Sequence, residues 1–356
     1  MSRLRTTLVV AVTAALALAG CSRAERTPDA AAPAAGGTAA ELRLGYFPNV
    51  THAAAIIGDQ EGLFTAELGD TTLTTQNFNA GGDAVNALFG GSIDATYIGS
   101  GPAINAFAQS DGEAVRLVAG ATDGGAQLVV RPDITSPEQL RGTTIATPQL
   151  GNTQDIALKV WLKDQGLTVG EAPDQVQIAN LENPRTLDAF RQGSVQAAWL
   201  PEPWSSRLVL DAGASVLLDE RELWDGGHFP TTVLLVSTDF VTQYPDTVRA
   251  LLRGHIAATE LANADPARAA TIVNDGIEEL TGNRLADPVI ARAFTELTLS
   301  TDPLASTFPQ LAQDSVDAGI ADELVDLAGF VDVGPLNAEL EATGQPAVDA
   351  AGLDTP

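Results

Sequence analysis

The 356-residue chain is poor in the side chains on which most enzyme chemistry depends: one cysteine, three histidines and 5% aromatic residues. A single thiol supports no disulfide framework and, lying at position 21 at the end of a leader, no thiol catalysis. His52, His228 and His255 stand in no HxxxH or HExxH spacing, so neither a metal nor a cofactor is expected. Ser100 lies in Gly-Ser-Gly-Pro, which lacks the GxSxG spacing of a nucleophile elbow. There is no P-loop and no GxGxxG after a strand, and the chain does not read as an enzyme. Positive charge is also scarce, with 19 Lys and Arg against 46 Asp and Glu for a net charge of −27. Such a surface repels nucleic acid and acidic lipid, which excludes both as electrostatic partners. Solubility outside the cell is the simplest reason for it.

What is present begins with a leader. Arg3 and Arg5 precede an apolar run from Leu8 to Leu18, and Leu18-Ala19-Gly20-Cys21 closes it. Residues 1–20 are too short for a stable membrane span and end in small residues, as a secretion signal does. The form of the cut is that of a bacterial lipobox, in which Cys21 is lipidated and holds the mature protein to a membrane face. Residues 21–41, rich in Ala, Pro, Gly and Thr, read as a flexible tether.

The rest is α/β and built twice. Gly91-Ser92-Ile93-Asp94-Ala95-Thr96-Tyr97-Ile98 returns as Gly193-Ser194-Val195-Gln196-Ala197-Ala198-Trp199-Leu200, an offset of 102 residues. Each copy follows a helix-period segment, runs as an apolar strand and ends in a proline-bearing loop. The length and a 45% hydrophobic content allow two substantial cores. Alternating strands and helices predict parallel sheets covered on both faces. One lobe is expected over residues 42–124 and a second over 125–230. Residues 231–345 then return to the first lobe and add packing helices, among them Pro288 to Leu299, before a disordered tail at 346–356. Two such lobes place strand-end loops across a shared crevice, and a monomer is expected.

Four loops are candidates for that crevice. Tyr46, Pro48, Asn49, Thr51 and His52 form the first, where Asn49 or Thr51 is placed to cap the following helix. Gly99, Ser100 and Gly101 form the second. Gln149, Gly151, Asn152 and Thr153 form the third; this turn fits either ordinary capping or the offer of N–H groups to a carboxylate or sulfonate at the positive end of a helix. Glu202 and Trp204 form the fourth. By the repeat Glu202 aligns with Ser100, and it fits either an exposed loop charge or a carboxylate facing a ligand ammonium or holding a neighbouring donor. Trp204 and Tyr46 fit either cleft walls or ordinary packing. His228, in Gly226-Gly227-His228-Phe229-Pro230, sits where the chain recrosses between lobes, whereas His255 reads as structural. Asp83 is a plausible cap for the helix after Gly81-Gly82.

The lipobox, Gly45-Tyr46-Phe47-Pro48-Asn49-Val50-Thr51-His52-Ala53, the run from Gly90 to Ala103 and Trp199-Leu200-Pro201-Glu202-Pro203-Trp204 together resemble the substrate-binding lipoproteins of ABC importers for nitrate, sulfonate and taurine. The resemblance implies a type II periplasmic-binding-protein fold whose two lobes close on a small anionic or zwitterionic solute. It also implies a membrane permease and its ATPase as partners. An aliphatic sulfonate is the first expectation, since neutral N–H donors and an apolar wall suit it. Nitrate, bicarbonate, taurine and thiamine-precursor pyrimidines are the alternatives. The cysteine-rich motif of pyrimidine-synthesising relatives is absent.

Overall fold

A computed structural model of the protein describes residues 37–354. The leader, Cys21 and most of the tether lie outside the described residues. Strands β1 (Glu41–Tyr46), β2 (Thr72–Asn77), β3 (Ala95–Gly99) and β4 (Val115–Gly124) build one sheet. The chain then crosses at Gly125 into a second sheet of β5 (Ala126–Val130), β6 (Thr144–Thr147), β7 (Gln177–Asn180), β8 (Ala197–Pro201) and β9 (Ser215–Asp219). It returns through β10 (Pro230–Ser237) and later adds β11 (Leu297–Leu299) to the first sheet.

The strand orders are β11-β4-β10-β3-β1-β2 and β7-β6-β8-β5-β9. In both sheets a parallel trio (β2-β1-β3 and β7-β6-β8) is followed by the strand that has just crossed from the other lobe, β10 or β5, running antiparallel. The sheets are therefore mixed, which corrects the expectation of parallel ones. A strand arriving from the opposite lobe enters against the direction of strands whose helices return them to the same edge. The repeat survives in the register: Leu44 faces Ala95 in one lobe and Ile145 faces Ala197 in the other.

The pleat explains how a short apolar strand serves two layers. In β8, Ala197 and Trp199 enter one core of the second lobe, while Ala198 and Leu200 enter the core on the opposite face. β5 does likewise, with Leu128 and Val130 on one side and Val129 on the other. Successive side chains point to opposite faces, so a continuous apolar run marks a strand covered on both.

The helix expected from Pro288 to Leu299 stops at Thr295, because Leu297–Leu299 is spent pairing with β4. Asp83 is not a cap: Ala80 holds that position, and Asp83 lies in the first turn. Neither Asn49 nor Thr51 caps by its side chain; a 3-10 turn at Val50–His52 runs straight into the helix Ala53–Gln60. Residues 346–354, read from sequence as part of a disordered tail, are docked. Val348 and Leu353 pack on the core of the first lobe, and Val331 N–H donates to the Leu353 carbonyl at 3.1 Å.

Candidate functional site

The lobes meet tip to tip. Gly101 N–H donates to Thr153 Oγ1 at 3.1 Å, Gly82 N–H to Gln149 Oε1 at 3.0 Å, Asn105 Nδ2 to the Gly151 carbonyl at 3.1 Å and Trp204 Nε1 to Asn49 Oδ1 at 2.9 Å. Glycine at 101 permits this approach, since a Cβ there would lie 3.0 Å from the Thr153 nitrogen and 3.1 Å from its Cα, tighter than side chains ordinarily pack. A larger residue would hold the lobes apart.

Between these contacts lies a small, partly open hollow of about 40 Å³. From the first lobe it is lined by Phe47, Asn49, Thr51, His52, Asn79, Ala80, Gly81, Gly99, Pro102, Thr231 and Thr232, and from the second by Pro148, Asn152, Thr153, Gln154, Asn183 and Pro201. No Lys, Arg, Asp or Glu is among them. Instead the starts of helices converge. Gly81, Thr153 and Asn183 are the first residues of their helices, Gly99 directly precedes Ser100–Gln109, and His52 directly precedes Ala53–Gln60. First-turn N–H groups and the aligned peptide dipoles make such a ring attractive to an anion without any counter-charge.

Two buried polar atoms of the lining, Asn183 Oδ1 and Thr231 Oγ1, have no hydrogen-bonding partner. Buried polar groups are ordinarily paired, and an orphan facing a hollow is what a bound polar solute would satisfy. His52 adds a neutral donor. Burial drives its pKa down to about 3, and its ring stacks on Phe47 with centroids 4.4 Å apart. Phe47 N–H approaches Nδ1 at 3.4 Å, which favours the tautomer with the proton on Nε2.

The third loop is shaped from behind. The Asp155 carboxylate, fully buried, accepts from Gly151 N–H at 2.9 Å, Thr147 Oγ1 at 3.0 Å, Asn180 Nδ2 at 2.9 Å and Lys159 Nζ at 2.7 Å. Asn152 Oδ1 caps the helix by accepting from Asp155 N–H at 2.9 Å, so capping and pocket lining are done by one residue.

Of the residues singled out from sequence, Asn49, Thr51, His52, Gly99, Asn152 and Thr153 are brought together on the hollow. Pro48 and Trp204 line a wider neighbouring cavity, and Gln149 and Gly151 an outer opening between the lobes. Ser100 is fully buried beside the hollow rather than on it, its Oγ unpartnered. Tyr46 is inside the first lobe, where its hydroxyl donates to Asp59 and burial raises its pKa. His228 is mostly exposed, with Nδ1 2.6 Å from Asp123, and takes no part in the lining.

Glu202 also does not line the hollow. It is fully buried, 3.0 Å from Arg292 of the first lobe, and accepts from Ser205 Oγ at 2.7 Å and Ser206 N–H at 3.2 Å. Burial raises its pKa against the lowering by Ser205, Ser206 and Arg292. Its two neighbours do the facing: Pro201 lines the hollow and Pro203 the wider cavity.

Sequence reading missed Asn79, Asn183, Thr231 and Thr232. The repeat carries a signal for one of them, since Asn183 stands 102 residues after Gly81 and both open helices onto the hollow. The two threonines, on an otherwise apolar strand, gave none.

Comparison with known proteins agrees with this architecture. The alkanesulfonate-binding protein of Xanthomonas axonopodis pv. citri, solved bound to MOPS, superposes with a TM-score of 0.67 at 24% identity, covering 81% of this chain and 97% of that one. The periplasmic nitrate-binding protein of Synechocystis gives 0.67 at 15% identity over 91% of this chain and 92% of that one. Both likenesses show the fold, the two-lobed α/β fold of type II periplasmic binding proteins. In sequence, the chain is 30% identical over 215 residues to the taurine-binding periplasmic protein of Escherichia coli strain K12, a match spanning 60% of this chain and 64% of that protein's length. The model of the NMT1-like family matches residues 35–274, well over half of the chain. With the fold and motif order already in agreement, this chain belongs to the NMT1-like family.

Proposed function

We propose that the protein is an extracytoplasmic solute-binding receptor that captures a small organic anion, an aliphatic sulfonate first among the candidates, and delivers it to an ABC importer. The observation that carries this reading is the hollow itself: it holds no formal charge, is ringed by helix starts and contains an unpartnered buried hydroxyl, Thr231 Oγ1, able to donate. A sulfonate spreads its charge over three acceptor oxygens, which suits several neutral donors better than one cation. The names of the sulfonate-, nitrate- and taurine-binding relatives support the same class. Anchoring through a lipid on Cys21, a permease with its ATPase as partner and a monomeric state belong to the same proposal.

A taurine receptor is the second reading, favoured by the taurine-binding relative. Its ammonium cannot be met by Glu202 while that carboxylate is held by Arg292, so a zwitterion would rely on neutral acceptors such as Asn183 Oδ1.

Thermal unfolding of the full chain against methanesulfonate, longer alkanesulfonates, taurine, nitrate, bicarbonate and pyrimidines tests both readings. A true ligand at a hundred times its Kd adds about 2.7 kcal/mol of stability. No shift with any of them refutes the receptor reading; a shift with taurine alone replaces the first reading by the second.

A further inference from the structure

Resting on the receptor reading, a second cavity refines the ligand class. Beyond the inner hollow, and sharing Phe47, Asn49, Asn79 and Asn183 with it, lies a cavity of about 300 Å³. The two spaces differ in chemistry. The inner one has no charged lining, whereas the outer one is apolar along Phe78, Leu187, Trp204 and Ile277 and carries Arg191 and Arg207 against a single carboxylate, Asp188.

A chain with 19 basic against 46 acidic residues has few guanidinium groups to place, and two line this one cavity. The Arg207 guanidinium lies 4.8 Å above the Trp204 ring, and its one ion pair among the described residues, with Asp211, is at 3.5 Å on the helix surface. Arg191 forms no ion pair among the described residues. Trp204 is itself fixed across the lobes by its bond to Asn49, so the arginine over its ring is positioned by the same closure that seals the inner hollow. Stacking leaves the edge N–H groups of Arg207 available to an incoming anion.

We propose that the solute is an elongated organic dianion: a sulfonate head in the inner hollow, an apolar linker passing Asn49 and Asn183, and a second anionic group between Arg191 and Arg207. The linker lies on the apolar wall, where each methylene taken out of water adds to affinity. The inner site sets the head group and the outer pair selects the tail.

Titration calorimetry of the full chain with methanesulfonate, hexanesulfonate, its ω-carboxylate analogue and its ω-amino analogue tests the assignment. The ω-carboxylate is expected to bind at least tenfold more tightly than hexanesulfonate, and the ω-amino analogue more weakly than either. Arg191→Gln and Arg207→Gln each reduce that preference and leave methanesulfonate affinity unchanged, which also reports that the variant is folded. Arg191→Glu is expected to reverse the order of the carboxylate and amino analogues. Equal affinities for the hexyl ligands, or a preference indifferent to both arginines, overturns the dianion subsite while methanesulfonate binding keeps the receptor reading intact. Failure of all four ligands removes the alkanesulfonate head group and this subsite together, while the wider solute panel still decides the receptor reading.

Discussion

The two lobes share an order over five strands, β11 being an addition at the edge of the first, but differ in the ionisable groups they bury most deeply. The deepest in the first are neutral, its carboxylates Asp94 and Glu339 keeping some exposure beside Arg43 and Arg249: Tyr97 Oη lies 2.9 Å from His255 Nδ1, His255 Nε2 lies 2.8 Å from the Gly120 carbonyl, and burial lowers the pKa of His255 to about 4 and that of His52 to about 3. The second hides carboxylates. Glu202 is tied to Arg292, and Glu220 is buried with both oxygens unpartnered. Desolvation pushes Glu220 up to about 8, and the Trp199 indole N–H lies near enough to oppose this while making no hydrogen bond. The difference begins at the ends of equivalent strands, where Gly99-Ser100-Gly101-Pro102 supplies an uncharged tip and Pro201-Glu202-Pro203-Trp204 supplies a strut to the other lobe. Duplication preserved the backbone and left the loop chemistry free to diverge.

Removing the far end of that strut is the strongest way to test the contrast. Arg292→Met leaves Glu202 buried without its charge partner, and denaturant unfolding is expected to show a loss of about 3–5 kcal/mol. Glu202→Gln, which removes the charge instead, is expected to cost much less. Equal losses would mean that the pair contributes by packing alone.

The next effect is in pH. The folded pKa of Glu220 lies above its ordinary 4.5, at about 8. The folded state therefore holds a proton that the unfolded state releases, and stability falls as pH rises from 4.5 toward 8, by up to about 1.4 kcal/mol per unit. The buried histidines of the first lobe act in the other direction. With folded values of about 3 and 4 against an ordinary 6.5, they withdraw stability as pH drops below 6.5. Glu220→Gln is expected to flatten the alkaline limb of a stability–pH curve and leave the acid limb in place; an unaltered alkaline limb would acquit Glu220.

Closure gives a smaller effect, read in binding. Gly101→Ala sets a Cβ against the Thr153 backbone and is expected to weaken ligand affinity about tenfold, or ~1.4 kcal/mol, with each lobe still folded. The smallest change is at an orphan. Thr231→Val removes a buried hydroxyl that has no partner, so the ligand-free protein is expected to gain up to about 1 kcal/mol while affinity falls. Loss of stability together with unchanged affinity would take Thr231 out of the site.

Much of this was legible beforehand because it depends on local pattern. The Gly-Ser repeat gave two α/β lobes, and proline or glycine at strand ends gave most of the loops that meet. Asn49, His52, Gly99 and Asn152 were recognisable since each sits where a strand ends and a helix begins, and a helix start always carries spare N–H groups. The parallel sheets were misread, because the direction of β5 and β10 depends on which lobe the chain has just left. The docked C-terminal segment was missed as well, its anchor being a hydrogen bond between Val331 and Leu353 that composition does not encode.

The sequence by itself determined the α/β alternation, the duplication at 102 residues and the scarcity of charge that can serve an anion site. Periodicity and composition act over a few turns of chain, and those features need nothing more. Only the tertiary structure decided that Pro201 faces the hollow while Glu202 turns away, because the partner that holds Glu202 lies 90 residues downstream on a helix of the other lobe. It likewise decided that Thr231 of the first lobe and Asn183 of the second both end unpartnered on the hollow. A buried polar group is directed by whichever partner folding brings to it, and that partner is set by the packing of two lobes, not by its neighbours in the chain.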